Sequence, residues 1–266
     1  ASVQTLVLDE ADRLLDLGFA QELERIRSLL PAQHQSLLYS ATFPAAVRAM
    51  AQASLRDPVE VTVQSEPEAQ PDIRQRAIQV DAPQRNAVLR HLIASEGWAR
   101  VLVFVATKYA AEMVADKLRR AGLQAEPFHA QLSQGKRSQV LADFKSSAIR
   151  VMVATDVAAR GIDIQDLPVV VNYDLPRSAS DYTHRIGRTA RAGASGLAVS
   201  FVSADTEAHF RLIEKRQHLT VAREQVAGFV PTAAALPAAA AGGGIKGRRP
   251  SKKDKLRAAG LLPPLP

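Results

Sequence analysis

The chain has 266 residues, with 34 Lys and Arg, 27 Asp and Glu, 47% hydrophobic residues and no cysteine. This length and balance fit about two globular domains and exclude disorder over most of the chain. No uninterrupted apolar run approaches about 18 residues, so the sequence predicts no transmembrane helix. The lack of cysteine excludes disulfides and thiolate metal sites, and the spacing of the six histidines does not suggest structural zinc.

The formal net charge of +7 is concentrated near one end of the chain. Residues 231–266 contain seven basic side chains and one acidic side chain, which leaves a net charge of only +1 for the other 230 residues. An anion-binding site in the folded part is therefore expected as a local cluster of charges. The basic segment itself is open to two interpretations, non-specific nucleic-acid binding or a solubilising end.

Short aliphatic runs alternate with amphipathic stretches along the chain. Apolar strands separated by helices predict parallel sheets covered on both faces, which is a doubly wound α/β architecture. Strands are predicted at 3–8, 36–39, 59–63, 76–80, 101–105, 151–154, 169–172 and 197–202, and helices at 21–30, 45–55, 85–95, 108–120 and 134–144.

The composition along the chain predicts four regions. Residues 1–63 hold about three strands, too few for an independent α/β domain, and the chain opens inside a strand-like run, so we interpret it as part of a longer protein. Residues 64–72 are polar, contain two prolines and are predicted to be a linker. Residues 73–221 are long enough for a complete domain, and residues 222–266 are expected to be a flexible Ala/Gly/Pro-rich basic tail.

Two short polar segments follow predicted strands in the first region. Asp9 and Glu10 lie at a strand end, where open α/β sheets bind ligands and where two carboxylates can hold Mg²⁺ through its waters. The alternative is that Asp9 only caps the next helix. Ser40 and Thr42 could hydrogen-bond this acidic pair, or could cap the helix that begins near Pro44.

Two longer segments in the second region suggest phosphate binding. After the strand at 151–154, backbone N–H groups near Thr155 can bind a phosphate. Gly161 permits the chain to approach a ligand closely, and Asp163 could accept hydrogen bonds from ribose hydroxyls. The alternative there is a plain turn with Asp163 paired to Arg160. Further on, three arginines recur every three residues, which a helix would place near one face for bidentate phosphate binding. The alternative is a solvated face paired with nearby acids. The three arginines are Arg185, Arg188 and Arg191.

Two weaker segments complete the set. Thr107 follows a strand and could be only an N-cap. The polar stretch 129–137 leads into a helix, and its basic residues could contact a phosphate backbone or simply be exposed.

In this order, the segments resemble the DEAD-box ATP-dependent RNA helicases of superfamily 2. Residues 9–12 read Asp-Glu-Ala-Asp, the motif that names the family, and Ser40-Ala41-Thr42 looks like its third motif. Phe104 with Thr107 is similar to the fourth motif, and Gln134 with Arg137 to the Q-x-x-R element. Residues 155–163 and 184–193 are similar to the fifth and sixth motifs, so that the resemblance runs from about residue 3 to about residue 210.

The resemblance implies RecA-like domains, the C-terminal part of a first one and a complete second one, that use ATP and Mg²⁺. It implies that Asp9 and Glu10 bind Mg²⁺ and orient the hydrolytic water, and that Gly161 and Asp163 contact the nucleotide. Arg188 and Arg191 would be arginine fingers to the γ-phosphate. The RNA backbone would be held by Thr107, Gln134, Arg137 and Thr155. Coupling of hydrolysis to strand separation would involve Asp12, Ser40, Thr42, His184 and Arg185.

Two departures from the family pattern qualify this expectation. His129 is followed by Ala130 where the family usually has glycine, and no G-x-x-x-x-G-K-[ST] phosphate loop is present in the sequence. We therefore expect an RNA helicase in the full-length protein and no ATP hydrolysis by these residues alone. The alternatives are a non-catalytic RNA-binding module derived from a helicase, and a DNA helicase of the same superfamily. A monomer in the cytoplasm, without membrane contact, is the default expectation.

Overall fold

The computed structural model describes residues 3–62, 73–159, 162, 164, 167–189 and 195–232. It divides the chain into two compact units, Ala1–Glu66 (unit 1) and Pro67–Pro266 (unit 2). The predicted linker, most of the predicted tail, and three predicted site residues lie outside the described residues. Those three are Gly161, Asp163 and Arg191.

Unit 1 contains two parallel strands and three helices among its described residues. Strand β1 (Thr5–Leu8) pairs with β2 (Gln35–Leu38), and the helices are α1 (Ala11–Asp16), α2 (Ala20–Ser28) and α3 (Ala45–Ser54). Both strands and the last two helices lie close to their predicted positions.

The strand predicted at 59–63 is wrong for its described part, residues 59–62. Its β-branched side chains suggested a buried strand, but Val59 and Val61 are 88% and 80% exposed. A strand needs a partner for its backbone N–H and C=O groups. This segment pairs with none of the described strands.

Unit 2 is built on seven strands, all paired in parallel, in the order β5-β6-β4-β7-β8-β3-β9. The strands are β3 (Ile73–Gln79), β4 (Val101–Val105), β5 (Ala125–Phe128), β6 (Val151–Thr155), β7 (Val169–Asn172), β8 (Gly196–Val202) and β9 (Arg223–Glu224). The helices are α4 (Arg85–Ser95), α5 (Lys108–Arg120), α6 (Gln134–Lys145), α7 (Asp156–Ala159), α8 (Ala179–Ile186) and α9 (Glu207–Gln217).

Strand β4 shows why the sheet has helices on both faces. Because successive side chains of a strand point to opposite faces, Val103 packs in a cluster that includes residues of α4 and α5. Its neighbours Leu102 and Phe104 pack in a second cluster with Val140 and Phe144 of α6. A uniformly apolar strand therefore fills two cores, and the predicted doubly wound α/β architecture is confirmed.

Several elements of the structure were not among the strands and helices predicted from periodicity. They are the edge strands β5 and β9 and the helices α1, α7, α8 and α9. Strand β5 contains Glu126 and Pro127, which obscure its pattern, and proline is tolerated there because the strand lies at the sheet edge. Helix α9 buries only Phe210 and Ile213, too narrow a stripe to be recognised from periodicity.

The folded part of unit 2 extends past the expected boundary at residue 221. Strand β9 pairs with β3, Val226 is buried in the core beside α4 and α5, and the Phe229 ring lies 5.5 Å from that of His91. The Thr232 amide and hydroxyl donate to Asp81 Oδ2 at 2.8 and 3.0 Å. Residues 222–232 are thus packed on the domain, which corrects the prediction that they belong to the tail. None of the described helices has both the length and the apolar character that a membrane span requires.

Candidate functional site

The acidic pair of unit 1 lies directly after β1. Asp9 is exposed, and its Oδ1 accepts the Glu10 N–H at 2.8 Å rather than an amide of the first turn of α1. Glu10 has φ 50° and ψ 51°, a left-handed conformation that costs a non-glycine residue about 1–2 kcal/mol. Strain of this kind is often kept at functional positions.

The two carboxylates fit a hydrated magnesium ion better than a cation enclosed by protein. Asp9 is exposed and Glu10 is half-buried. The part of the chain that the structure describes has no cluster of three or more metal-ligating side chains. Mg²⁺ commonly keeps several waters and binds one or two carboxylates together with phosphate oxygens.

Ser40 and Thr42 bond to Asp12 and not to the acidic pair. Thr42 Oγ1 donates to Asp12 Oδ2 at 2.7 Å, and the Asp12 N–H donates to Ser40 Oγ at 3.1 Å. The Ser40 hydroxyl in turn donates to the Thr42 carbonyl at 2.7 Å. Helix α3 begins after Pro44 without a side-chain cap, so the capping interpretation is wrong. The sequence had suggested the right two segments but the wrong acid.

The four predicted RNA contacts of unit 2 lie at the carboxyl ends of three neighbouring strands. Thr107 follows β4, Thr155 ends β6, and Gln134 and Arg137 begin α6, which follows β5. The sheet order β5-β6-β4 makes these ends adjacent. Across them, Lys108 Nζ donates to Gln131 Oε1 at 2.6 Å. We call this the gripping edge, defined by Thr107, Lys108, Gln131, Gln134, Arg137 and Thr155.

Two helices begin at the gripping edge with side-chain caps. Thr107 Oγ1 accepts the Ala110 N–H at 3.1 Å, and Ser133 Oγ accepts the Lys136 N–H at 3.3 Å. Thr107 is therefore the N-cap of α5, as the capping interpretation predicted. The N-terminus of a helix carries a partial positive charge that favours phosphate, so capping and RNA contact are compatible at this position.

Arg137 is the basic group of the gripping edge best suited to an added anion. Its guanidinium lies 5.6 Å from the Phe128 ring centroid, and its Nη1 is 3.5 Å from Gln134 Oε1. Its Nε is buried without a hydrogen-bond partner among the described groups. The half-buried guanidinium thus places a positive charge at this edge, where an added anion could pair with it.

Arg185, by contrast, already has its partners inside unit 2. Its Nε and Nη2 donate to the two carboxylate oxygens of Asp156 at 2.6 and 2.8 Å. Its Nη1 donates to Asn172 Oδ1 at 3.0 Å and to the Asp174 carbonyl at 2.7 Å. The side chain is 3% exposed and lies over the Phe104 ring. Arg185 therefore ties the end of β6 to the end of β7.

Asp174 is a second junction, just after β7. Its Oδ1 accepts Arg85 Nη1 and its Oδ2 accepts the Ala106 N–H, both at 2.9 Å. Arg85 also donates to Ser203 Oγ at 3.0 Å. Burial raises the pKa of the neighbouring Tyr173 to about 12. Asp174 thus fixes the backbone just before Thr107, and its place after β7 was the signal that could have identified it.

The predicted helical face of three arginines is wrong. Helix α8 ends at Ile186 with Gly187 as its C-cap, so Arg188 lies beyond the helix, where its Nη1 donates to the Ile162 carbonyl at 3.1 Å. Arg191 lies outside the described residues. His184 is half-buried on α8, next to Arg185.

Comparison with known families agrees with this geometry. Residues 1–50 match the family model described as DEAD/DEAH box helicase, and residues 84–193 match the helicase conserved C-terminal domain. The DEAD-box ATP-dependent RNA helicase CshA of Geobacillus kaustophilus is 42% identical over 201 residues, which cover 76% of this chain and 43% of the relative. CshA of Bacillus subtilis is 39% identical over 214 residues, covering 80% of this chain and 43% of the relative. The chain thus spans about two fifths of the length of these relatives.

Solved structures show the same relationship. Dbp5 of S. cerevisiae bound to RNA and ADP BeF3 is 32% identical with a TM-score of 0.72, covering 84% of this chain and 59% of that one. The E. coli DEAD-box protein SrmB, solved with regulator of ribonuclease activity A, is 34% identical with a TM-score of 0.57, covering 61% of this chain and 96% of that one. On these sequences, motifs and RecA-like folds, the chain belongs to the DEAD-box family of superfamily 2 helicases.

Proposed function

We propose that this chain is the RNA-binding part of an ATP-dependent RNA helicase, which couples ATP hydrolysis to the separation of RNA duplexes or to RNA–protein remodelling. The observation that supports this most strongly is the gripping edge, where three adjacent strand ends and two helix N-termini meet. We expect the protein to act as a cytoplasmic monomer.

The gripping edge would hold the sugar-phosphate backbone without reading the sequence of bases. Thr107 and Thr155 offer hydroxyls, Gln134 offers an amide and Arg137 offers a guanidinium. Charged and polar groups at helix N-termini are suited to phosphate oxygens. Discrimination of RNA from DNA would come from contacts to 2′-hydroxyls.

The nucleotide contacts are assigned to two sets of residues, one in each unit. In unit 1, Asp9 and Glu10 would hold hydrated Mg²⁺ and orient the attacking water. In unit 2, Arg188 and Arg191 would neutralise the γ-phosphate, a contribution of about 10³–10⁵ in rate for arginine fingers of phosphoryl-transfer enzymes. Ribose and phosphate contacts from unit 2 would be made by Gly161 and Asp163.

The coupling of ATP hydrolysis to strand separation is assigned to two hydrogen-bond networks, one in each unit. In unit 1, Ser40 and Thr42 connect β2 to Asp12 of the acidic motif. In unit 2, Arg185 connects α8, which also carries His184, to Asp156 directly after Thr155. The first network reaches the motif that holds Asp9 and Glu10, and the second reaches Asp156, next to the RNA contact assigned to Thr155.

We further propose that residues 1–266 bind RNA but do not hydrolyse ATP by themselves, because their sequence contains no G-x-x-x-x-G-K-[ST] loop to cradle the β- and γ-phosphates. The non-catalytic RNA-binding module is the second candidate, favoured by the same observation. Phosphate release from ATP by this chain, stimulated by RNA and abolished in Glu10→Gln, would contradict both statements.

The RNA-binding proposal is tested by two variants, each of which removes one positive charge at a different place. Arg137→Gln should weaken binding to a labelled single-stranded RNA several-fold and reduce the salt dependence of log K by about 0.7, the value of one phosphate contact. Arg120→Gln is the matched control, because Arg120 is exposed at the other end of α5 and pairs with Asp116. Equal effects of the two substitutions in fluorescence anisotropy titrations would refute the assignment.

A further inference from the structure

Tyr109 differs from the other aromatic residues of unit 2 by lying in solvent. Phe104, Phe128, Tyr182 and Phe210 are almost fully buried, whereas Tyr109 is 75% exposed, the one strongly exposed aromatic among the described residues of unit 2. A single exposed apolar side chain is ordinary on a protein surface. The position of Tyr109 is what makes it informative.

Tyr109 lies on the first turn of α5, at the gripping edge. It follows Thr107, the N-cap of α5, and Lys108, which bonds to Gln131 of the loop after β5. Helical side chains lean toward the N-terminus of their helix. The phenol ring therefore leans toward the edge at which α5 begins, where the phosphate contacts are proposed.

Two charged side chains close to Tyr109 along α5 are already engaged. Lys108 donates to Gln131, and Glu112, one turn along α5, hydrogen-bonds His129 at 2.8 Å. No hydrogen bond to another described residue involves the Tyr109 hydroxyl. An exposed ring beside the proposed phosphate contacts offers a surface for a nucleic-acid base, since every base has a π-face that can stack on an aromatic side chain.

We propose that Tyr109 stacks on a base of the RNA strand whose backbone is held at the gripping edge; this inference rests on the proposed function. The contact needs a base with an uncovered face, so it selects an unpaired or locally unstacked nucleotide. Tyr109 would thereby favour the separated strand over the duplex and would add affinity without a sequence preference set by hydrogen bonds.

The test compares the full chain with Tyr109→Ala and Tyr109→Phe in anisotropy titrations against two probes of equal length. One probe is a labelled oligoadenylate, and the other has the same ribose-phosphate backbone without bases. Tyr109→Ala should bind oligoadenylate about fivefold or more weakly and should bind the abasic probe as the unmodified chain does. Tyr109→Phe, which keeps the ring, should retain affinity for both probes.

Leu212→Ala, which shortens an exposed side chain on α9, is the control for a general loss of surface contact. An equal loss on both probes, or no loss on oligoadenylate, would overturn the stacking role while leaving the RNA-binding proposal standing. Failure of the unmodified chain to bind either probe would overturn the RNA-binding proposal and the stacking role with it. The fluorescence of buried Trp98 verifies that each variant is folded.

Discussion

At the scale of single residues, Arg185 shows that an arginine predicted to bind phosphate can instead pair with a carboxylate inside the domain. Spacing alone placed Arg185, Arg188 and Arg191 on one helical face directed at phosphate. The chain instead ends α8 at Ile186, and Arg185 turns inward to Asp156. Sequence spacing could not predict this, because the helix end and the partner carboxylate, 29 positions away, are both properties of the fold.

Replacing Arg185 should therefore destabilise unit 2. Lysine keeps the charge but cannot reach Asp156, Asn172 and the Asp174 carbonyl together. Leaving these groups poorly paired in a buried site should cost about 3 kcal/mol of unfolding free energy. This loss can be measured by urea unfolding, monitored through the fluorescence of Trp98, which is 5% exposed in the core of unit 2.

Arg211→Lys is the matched control for this prediction. Arg211 pairs with Glu207 one helical turn away and is 73% exposed, so its substitution should change the unfolding free energy by only about 0.5 kcal/mol or less. If Arg185→Lys is no more destabilising than Arg211→Lys, the Asp156 pair does not have the structural role assigned to it.

For the acidic motif, the sequence predicted the partner segment but not the partner residue. Ser40 and Thr42 were expected to bond to Asp9 and Glu10, and in the structure they bond to Asp12. The choice among Asp9, Glu10 and Asp12 could not be made beforehand, because it depends on the left-handed turn at Glu10. The functional roles of these residues stay predictions.

At the scale of elements, the interior strands were predictable and the edges were not. Strand β4 is apolar throughout and buried on both faces, so its composition alone identifies it. Strand β9 has two residues, Arg223 and Glu224, and no apolar pattern. It pairs with β3, and Arg223 also bonds to both Glu207 and Glu214 of the neighbouring helix α9.

This attachment gives unit 2 a specific dependence on acid. The hydrogen bond from Arg223 holds the pKa of Glu214 below its ordinary value of 4.5. A depressed folded-state pKa stabilises the fold above the ordinary value, and the contribution is lost as the pH falls through the lower folded-state value. The advantage of the unmodified chain over Glu214→Gln should thus shrink as the pH falls below the ordinary value of 4.5.

Unfolding free energies from urea titrations at several pH values measure this advantage. Asp116→Asn, at a pair more exposed to solvent, is the control and should show little such dependence. A difference between the unmodified chain and Glu214→Gln that stays constant over this pH range would contradict the role assigned to Glu214.

The segment after β9 should be part of the stable fold. A chain that ends after Thr232 keeps Val226 and Phe229 in place, and it should unfold in urea at the same concentration as the full chain. A chain that ends after Val221 loses both side chains, at a cost of about 3 kcal/mol from lost apolar burial. Equal stability of the two shortened chains would show that residues 222–232 contribute nothing to the domain.

At the scale of the whole molecule, the two units differ in how completely they bury their apolar residues. Unit 2 has a seven-stranded sheet with core clusters on both faces. Unit 1 has two described strands, and Val7, Leu29 and Val59 are among its exposed side chains. The sequence predicted this difference, because residues 1–63 contain few strands. The gripping edge could not be predicted from the motif order alone, since the sheet order β5-β6-β4 is what makes its residues neighbours.

The proposed function requires that RNA binds to the gripping edge of unit 2. The most direct test is amide hydrogen exchange, read by mass spectrometry, of the full chain with and without a saturating single-stranded RNA. Exchange should become slower in peptides that cover residues 106–110, 129–137 and 155–156. It should not change at residues 122–126, at the opposite end of β5. Protection confined to residues 233–266, or found at residues 122–126 but not at the gripping edge, would contradict the proposed binding site.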